Sequence, residues 1–276
     1  MSGELKKALA GQLSPDELDR LVGSFDIVGD MAIIIVPEEL LHRKRQIADT
    51  ILALHKHIRV VARRAGHYDG EFRILPLEII GGEERRETLH RENGVRLLLN
   101  PEKVYYSVRS GNERKRVAAL VRDGERVLVL FSGIGPYPLV IGRIQPLCQV
   151  VGIEKNPDAH AYAVKNLSYN KKITNVSFIH GDVREQLPQL GRVFDRIIMP
   201  LPRSAGDFLD LALGGLCRDG WLHFYDLQEK GGFAEAVEKI GQACRRNGRE
   251  LATASVTVAG HCSPRLFRVC VDARIG

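Results

Sequence analysis

The apolar positions of this 276-residue chain change their rhythm near residue 108. Beyond that point, runs of strand length alternate with stretches of helical period. Before it, short strands and a few helical stretches are broken by many turn signals. Residues 1–22 read as a short amphipathic helix and a second one starting at Ser14-Pro15-Asp16-Glu17. Ser14 caps that helix, Pro15 takes its first position and Glu17 follows three residues after the cap. Residues 25–30 lead into the apolar run 31–36, a strand that Pro37 ends. Residues 38–57 put Leu40, Leu41, Ile47, Ile51, Leu52 and Leu54 at helical spacing, with Arg43, Lys44 and Arg45 on the other face. Strand character resumes at 58–61. A turn at 68–71 precedes a strand over 72–80, interrupted by Pro76, and the tight turn Asn93-Gly94 precedes a strand at 95–100. The expectation is a small mixed α/β domain over residues 1–107, with Arg73 on one of its strands.

Residues 108–276 are organised around one strand-to-loop transition. The apolar run 127–131 ends abruptly in Ser132-Gly133-Ile134-Gly135-Pro136. Glycine lets the backbone turn sharply there and approach a ligand closely, because no Cβ intervenes. The run 150–154 is a second strand, ending in Glu154, an acid placed to hydrogen-bond the ribose hydroxyls of a nucleotide-like ligand. A third strand, 175–179, runs to Gly181-Asp182-Val183-Arg184, and a fourth, 194–199, to Pro200-Leu201-Pro202. A fifth strand at 221–226, a helix at 233–246 and two final strands at 256–259 and 267–271 complete the chain. This is the doubly wound α/β pattern with a reversed last strand.

In such a sheet the carboxyl ends of the strands share one crevice. The loop residues Phe131, Gly133, Gly135 and Pro136 would pass the amino-acid part of the ligand, Glu154 would hold the ribose, and Lys155 beside it is a further candidate for binding the ligand. Asp182 would lie by the base with Val183 alongside the ring, and Pro200 would border the site.

Composition narrows the picture further. With 44% hydrophobic and 27% charged residues the chain fits a soluble globular protein, and its net charge of +6 leans towards an anionic partner. No apolar run has membrane-spanning length and no signal-peptide core is present, so a cytoplasmic location is expected. The five cysteines form no CxxC pair and read as free thiols. His261-Cys262 is the sole near-neighbour pair of metal-ligand types, and no metal is expected.

The chain resembles the archaeal and eukaryotic methyltransferases that modify N1 of the guanosine at tRNA position 37. The resemblance covers about residues 24–273. It runs through Gly29-Asp30-Met31-Ala32-Ile33, Gly70-Glu71-Phe72-Arg73, Thr88-Leu89-His90-Arg91-Glu92-Asn93-Gly94, Lys103-Val104-Tyr105-Tyr106-Ser107-Val108-Arg109, Asn112-Glu113-Arg114-Lys115-Arg116, the glycine loop and Gly181-Asp182-Val183-Arg184. It implies a class I S-adenosylmethionine-dependent methyltransferase domain, Rossmann-like with a reversed last strand, beside the small N-terminal α/β domain. The implied cofactor is S-adenosylmethionine and the implied partner the tRNA anticodon arm, met by a monomer. Glu113 corresponds to the family's general base and Arg73 to an assisting arginine. A carboxylate can accept the N1 proton as the methyl arrives, and an arginine can stabilise charge developing towards O6. Arg109, Arg114, Leu201 and Pro202 are the candidate substrate-binding residues.

Two positions depart from the family pattern. Pro200-Leu201-Pro202 stands where the family has Asn-Leu-Pro, which removes a side-chain amide and a backbone N–H, so the Leu201 N–H or other groups must hold the guanine edge. Ser107-Val108-Arg109 stands for Ser-Pro-Arg. Too few residues precede the strand at Met31 for the elbow-reading domain of longer relatives, and recognition is expected to concentrate on the anticodon arm. The chain is also similar to the wybutosine-pathway enzymes that transfer a 3-amino-3-carboxypropyl group from the same cofactor, which share the Asn-x-x-Glu-Arg type of helix start. Basic residues at 43–45, 59, 63–64, 85–86 and 114–116, with His90, Arg91 and Arg203, form the expected electrostatic footprint. A small-molecule or protein methyltransferase and a non-enzymatic RNA-binding module stay open as other classes.

Overall fold

The computed structural model describes residues 2–201 and 203–276, and the chain divides into two compact units. One comprises Met1–Arg91 with Arg96–Val108, the other Glu92–Val95 with Arg109–Gly276.

The first unit opens with helices α1 (Ser2–Leu9) and α2 (Pro15–Arg20). The α2 capping box forms as its sequence dictates: the Glu17 N–H donates to Ser14 Oγ and the Ser14 N–H to the Glu17 carboxylate. Strands β1 (Phe25–Val28), β2 (Met31–Ile34), β3 (Val60–Arg64) and β4 (Leu77–Gly82) make a sheet in that order, with β2 and β3 parallel and the outer pairs antiparallel. Helix α3 (Lys44–Leu54), led in by a 3-10 turn over Glu38–Arg43, buries Ile47, Ala48 and Ile51 against Leu5, Leu9 and Ile34. Strands β5 (Thr88–Glu92) and β6 (Val95–Leu99) pair through the Asn93-Gly94 turn, where both residues have positive φ.

The strand expected over 31–36 is present as β2, and the lead-in before it forms a further strand, β1, that pairs back on β2 through a turn where Gly29 adopts φ +61° and the Asp30 N–H donates to the Thr88 hydroxyl. A Cβ on Gly29 would lie 2.2 Å from Thr88 Oγ1, so the turn admits glycine alone. The strand expected over 72–80 begins only at Leu77, after Pro76. Arg73 therefore sits not on a strand but in a turn closed by its N–H on the Gly70 carbonyl, at φ +51°.

The second unit carries a seven-stranded sheet. Its elements are α4 (Gly111–Leu120), β7 (Arg126–Leu130), α5 (Pro136–Ile144), β8 (Gln149–Glu154), α6 (Pro157–Tyr169), β9 (Val176–His180), α7 (Val183–Leu190) and β10 (Phe194–Met199). They continue with α8 (Leu209–Gly215), β11 (Leu216–Glu229), α9 (Phe233–Arg246), β12 (Leu251–His261) and β13 (Leu266–Ile275). The strand order is β12-β13-β11-β10-β7-β8-β9. Every pair from β9 to β11 is parallel, and β13 runs antiparallel between β11 and β12. The expected class of fold, a doubly wound sheet with its last strand reversed, is the observed one. Leu128, Leu130, Ile153, Ile197, Met199, Leu222 and Phe224 fill its core. The sequence order of the strands reverses direction at β7, which opens a crevice at the carboxyl ends of β7, β8 and β10. Among the described residues, no helix is long and apolar enough to cross a membrane.

Candidate functional site

The crevice is built by strand ends. After β7, Phe131 (φ +55°), Gly133 (+58°) and Gly135 (+86°) turn the chain into α5 through left-handed backbone. A Cβ on Gly135 would come within 2.5 Å of Phe178, so this loop is held tightly against β9. Glu154, at the end of β8, ties the loop down: one carboxylate oxygen accepts the Gly133 N–H and the other the Asn156 N–H, both at 2.7 Å. Burial raises its pKa above the ordinary glutamate value, against the lowering effect of those backbone donors. The Lys155 N–H adds a third backbone donor, and the carboxylate keeps acceptor capacity for one more, such as a ribose hydroxyl.

Asp182 caps α7 by accepting the Arg184 N–H at 2.9 Å, and the Lys155 ammonium lies 3.2 Å from it. The Arg184 N–H and the lysine together hold its pKa below the usual aspartate value. Val183 begins α7 and is buried. Phe131 meets Phe208 edge-on at 4.9 Å, and the Arg184 guanidinium covers the Phe208 ring at 4.3 Å. The Ser132 hydroxyl is buried in the loop with no hydrogen-bond partner among the described residues. The structure thus gathers the loop, Glu154, Lys155, Asp182 and Val183 in one strand-end arrangement. At the Pro200 corner the Leu201 N–H donates to the Met199 carbonyl at 2.9 Å, so that amide is already engaged. Pro202 lies outside the described residues.

Glu113 lies on α4, whose buried face is Glu113–Val117 and Arg114–Ala118 at i, i+4 spacing. Its carboxylate, 7% exposed, accepts from Arg116 Nε and Nη2, each at 2.8 Å, and from the Tyr225 hydroxyl at 2.7 Å. Tyr137 in turn donates to the Tyr225 oxygen at 2.7 Å. The other side of Arg116 is taken by Asp272 at 2.6 and 3.1 Å. Asp272 accepts from His223 Nδ1 at 2.5 Å, and His223 Nε2 faces Arg196 at 2.6 Å. Arg196 closes the series with a two-pronged pair to Glu125. Burial and the Arg196 charge lower the His223 pKa, and the imidazole and Arg116 push that of Asp272 well down despite its burial. His223, Cys270 and Asp272 converge closely enough for a metal, but the guanidiniums of Arg196 and Arg116 occupy the histidine nitrogen and the carboxylate.

Sequence reasoning missed Arg116, Tyr225, His223 and Asp272 as neighbours of Glu113. The available signal was a set of polar residues in otherwise apolar strands. The β11–β13 register sets His223 opposite Asp272 and Tyr225 opposite Cys270.

In the first unit the Arg73 guanidinium packs over the Tyr105 ring at 4.5 Å and the Tyr68 ring at 5.5 Å. Tyr68, Phe72, Ile74 and Tyr105 are all exposed around it. A planar cation held on aromatic faces keeps its edge donors available.

The expected basic footprint is revised. Arg114, expected to bind substrate, is 3% exposed and forms a two-pronged pair with Glu92 at 2.6 Å. It faces a carboxylate rather than solvent. Arg43, Lys44, Arg63, Arg64 and Arg85 are matched by carboxylates of their own unit. Arg59, Arg91, Arg109, Lys115 and Arg203 are exposed.

Residues 88–252 match the family described as the TRM5/TYW2 methyltransferase domain, and residues 5–85 match the TYW2 N-terminal domain. The chain is 36% identical over 263 residues to the tRNA (guanine(37)-N(1))-methyltransferase Trm5b of Pyrococcus abyssi, covering 95% of this chain and 78% of that protein. The crystal structure of Trm5b from Pyrococcus abyssi superposes with a TM-score of 0.86 at 34% identity, over 96% of this chain and 78% of that one. A complex of aTrm5 with tRNALeu gives a TM-score of 0.85 at 27% identity, over 100% of this chain and 79% of that one.

Proposed function

The chain belongs to the family of the TRM5/TYW2 methyltransferase domain, and from that premise we propose that it transfers a methyl group from S-adenosylmethionine to N1 of guanosine 37 in tRNA. The observation that carries this reading is the match along nearly the whole chain to a tRNA (guanine(37)-N(1))-methyltransferase.

The crevice fits the cofactor. It offers a loop with no room for a Cβ at Gly135, a strand-end carboxylate with acceptor capacity to spare, and a buried Ser132 hydroxyl without a protein partner. Glu154 would hold the ribose with Lys155 beside it, Asp182 and Val183 the base, and Phe131, Gly133, Gly135, Pro136 and Pro200 the remainder. When bound, S-adenosylmethionine supplies a methyl on a sulfonium, so that the N1–C bond forms as the S–C pair returns to sulfur. Glu113 accepts the N1 proton and ends protonated. Arg73 donates to O6 as negative charge grows there. Arg109 and the Pro200-Leu201-Pro202 corner serve the substrate base. Leu201 does so only if its amide exchanges the Met199 carbonyl for the guanine edge.

A relative in the family has been solved with tRNALeu, and position 37 lies in a loop whose base unstacks at modest cost. The exposed cations Arg59, Arg91, Lys115 and Arg203 supply charge for phosphates of the anticodon arm. The five unpaired cysteines agree with a cytoplasmic protein, and the reading takes it as a monomer.

Mass spectrometry of nucleosides from tRNA treated with the protein and S-adenosylmethionine tests the proposal. A gain of one methylene unit on guanosine 37 supports it. The match of residues 5–85 to the TYW2 N-terminal domain favours a second reading, aminocarboxypropyl transfer to a wybutosine-precursor base. A gain of that larger group, with guanosine 37 left unmodified, would replace the first reading by the second.

A further inference from the structure

The Glu113 carboxylate is not a free acceptor. Arg116 grips both its oxygens and Tyr225 adds a donor to Oε1. These charge-assisted hydrogen bonds hold the carboxylate in its docked position. To take a proton from N1 it has to give up part of this grip. A partly buried guanidinium abandoned by its partner would still make that release costly. Here Arg116 is shared: Asp272 takes its Nη1 at 2.6 Å and keeps it paired when Glu113 turns away. Asp272 is itself fixed through His223, Arg196 and Glu125.

We infer that Tyr225, Arg116 and Asp272 are positioning residues that dock the Glu113 carboxylate between turnovers and let it go to the substrate base without leaving the Arg116 charge unpaired. The inference rests on the reading of Glu113 as the base. Tyr225 sits in the centre of β11, fully enclosed, with Tyr137 of α5 behind it, so its hydroxyl has no solvent alternative. The groups facing Glu113 are Arg116 of its own helix, Tyr137 of α5, Tyr225 of β11 and Cys270 of β13, with Asp272 of β13 on the far side of Arg116. Tyr225 and Asp272 act on the carboxylate in opposite senses. The hydroxyl strengthens the docked, ionised form, whereas Asp272 draws the Arg116 charge away from it.

The test is the pH profile of single-turnover transfer in Glu113→Gln, Tyr225→Phe and Asp272→Asn, with saturating cofactor and tRNA. Tyr225→Phe should move the acid limb to higher pH, because a donor to the docked carboxylate is lost. Asp272→Asn, which keeps an acceptor for His223, should move it to lower pH and slow the plateau. A purely structural role predicts slower or less stable enzymes with an unmoved limb. A second readout is independent of activity. The unfolding midpoints of Tyr225→Phe, Glu113→Gln and the double variant should be non-additive, as for residues sharing a bond. If Glu113→Gln keeps the wild-type rate and limb, the base reading fails. If it is slow and loses the limb while the other two variants leave it in place or shift it the same way, the docking inference alone fails. Additive midpoints also overturn the docking.

Discussion

The Tyr225 hydroxyl donates to the Glu113 carboxylate at 2.7 Å across 112 positions of sequence, joining the middle of a core strand to the first turn of α4. Around that bond lies a series of buried and partly buried charges, Glu113, Arg116, Asp272, Arg196 and Glu125, each held by a partner. Variants that remove one partner should therefore act chiefly on stability, and those that touch the strand-end crevice chiefly on cofactor binding.

Arg114→Ala should destabilise the protein by about 3–5 kcal/mol, because it removes a two-pronged ion pair with Glu92 from a site where both side chains are under a tenth exposed. It should leave the salt dependence of tRNA binding unchanged. Replacing the exposed Arg59 and Lys115 together should flatten that dependence and leave stability within about 0.5 kcal/mol. Urea unfolding and a salt titration of tRNA affinity check both halves.

The burial of Arg114 also marks what the sequence conceals. Local signals were readable: the Ser14–Glu17 capping box, the Asn93-Gly94 hairpin, the strand ending at Glu154 and the reversed last strand all follow from short-range chemistry. The partner of Arg114 stands 22 positions away and that of Arg116 156 away, and no local period reports such pairs. The Gly29 turn hides inside an apolar run. The Arg73 turn depends on positive φ at Gly70 and at Arg73 itself, a conformation that arginine does not advertise.

Stability should fall as pH drops below about 6.5, the ordinary histidine value. Neutral His223 donates from Nδ1 to Asp272 and receives an Arg196 N–H at Nε2, so protonation would set two donors against each other. Its folded pKa is lowered. The unfolded chain therefore binds the proton first, and the stability present above the unfolded pKa is lost as pH falls towards the folded one. Asp272, also lowered, adds a second loss below about pH 3.9. His223→Gln should be less stable at pH 7 and should flatten the decline between about pH 6.5 and 5, read from unfolding midpoints.

Glu154→Ala should weaken S-adenosylmethionine binding by about 1–3 kcal/mol, since it removes a charged acceptor at the ribose position and frees the Gly133 N–H. In the wild type, the raised pKa of Glu154 makes affinity decline at a higher pH on acidification than an ordinary glutamate would. Calorimetric titration across pH checks both. Gly135→Ala should impair binding as well, because its Cβ meets Phe178 at 2.5 Å and φ is +86°.

The most direct measurement is single-turnover transfer of a labelled methyl to a tRNA transcript with guanosine at position 37, by the wild type and by Glu113→Gln. In the variant Asp272 still pairs Arg116, so the protein should fold and bind cofactor. The label should appear on N1 of guanosine 37, and the variant should be slower by about 10²–10⁴. Label elsewhere, or transfer by Glu113→Gln at the wild-type rate, would contradict this reading of the reaction.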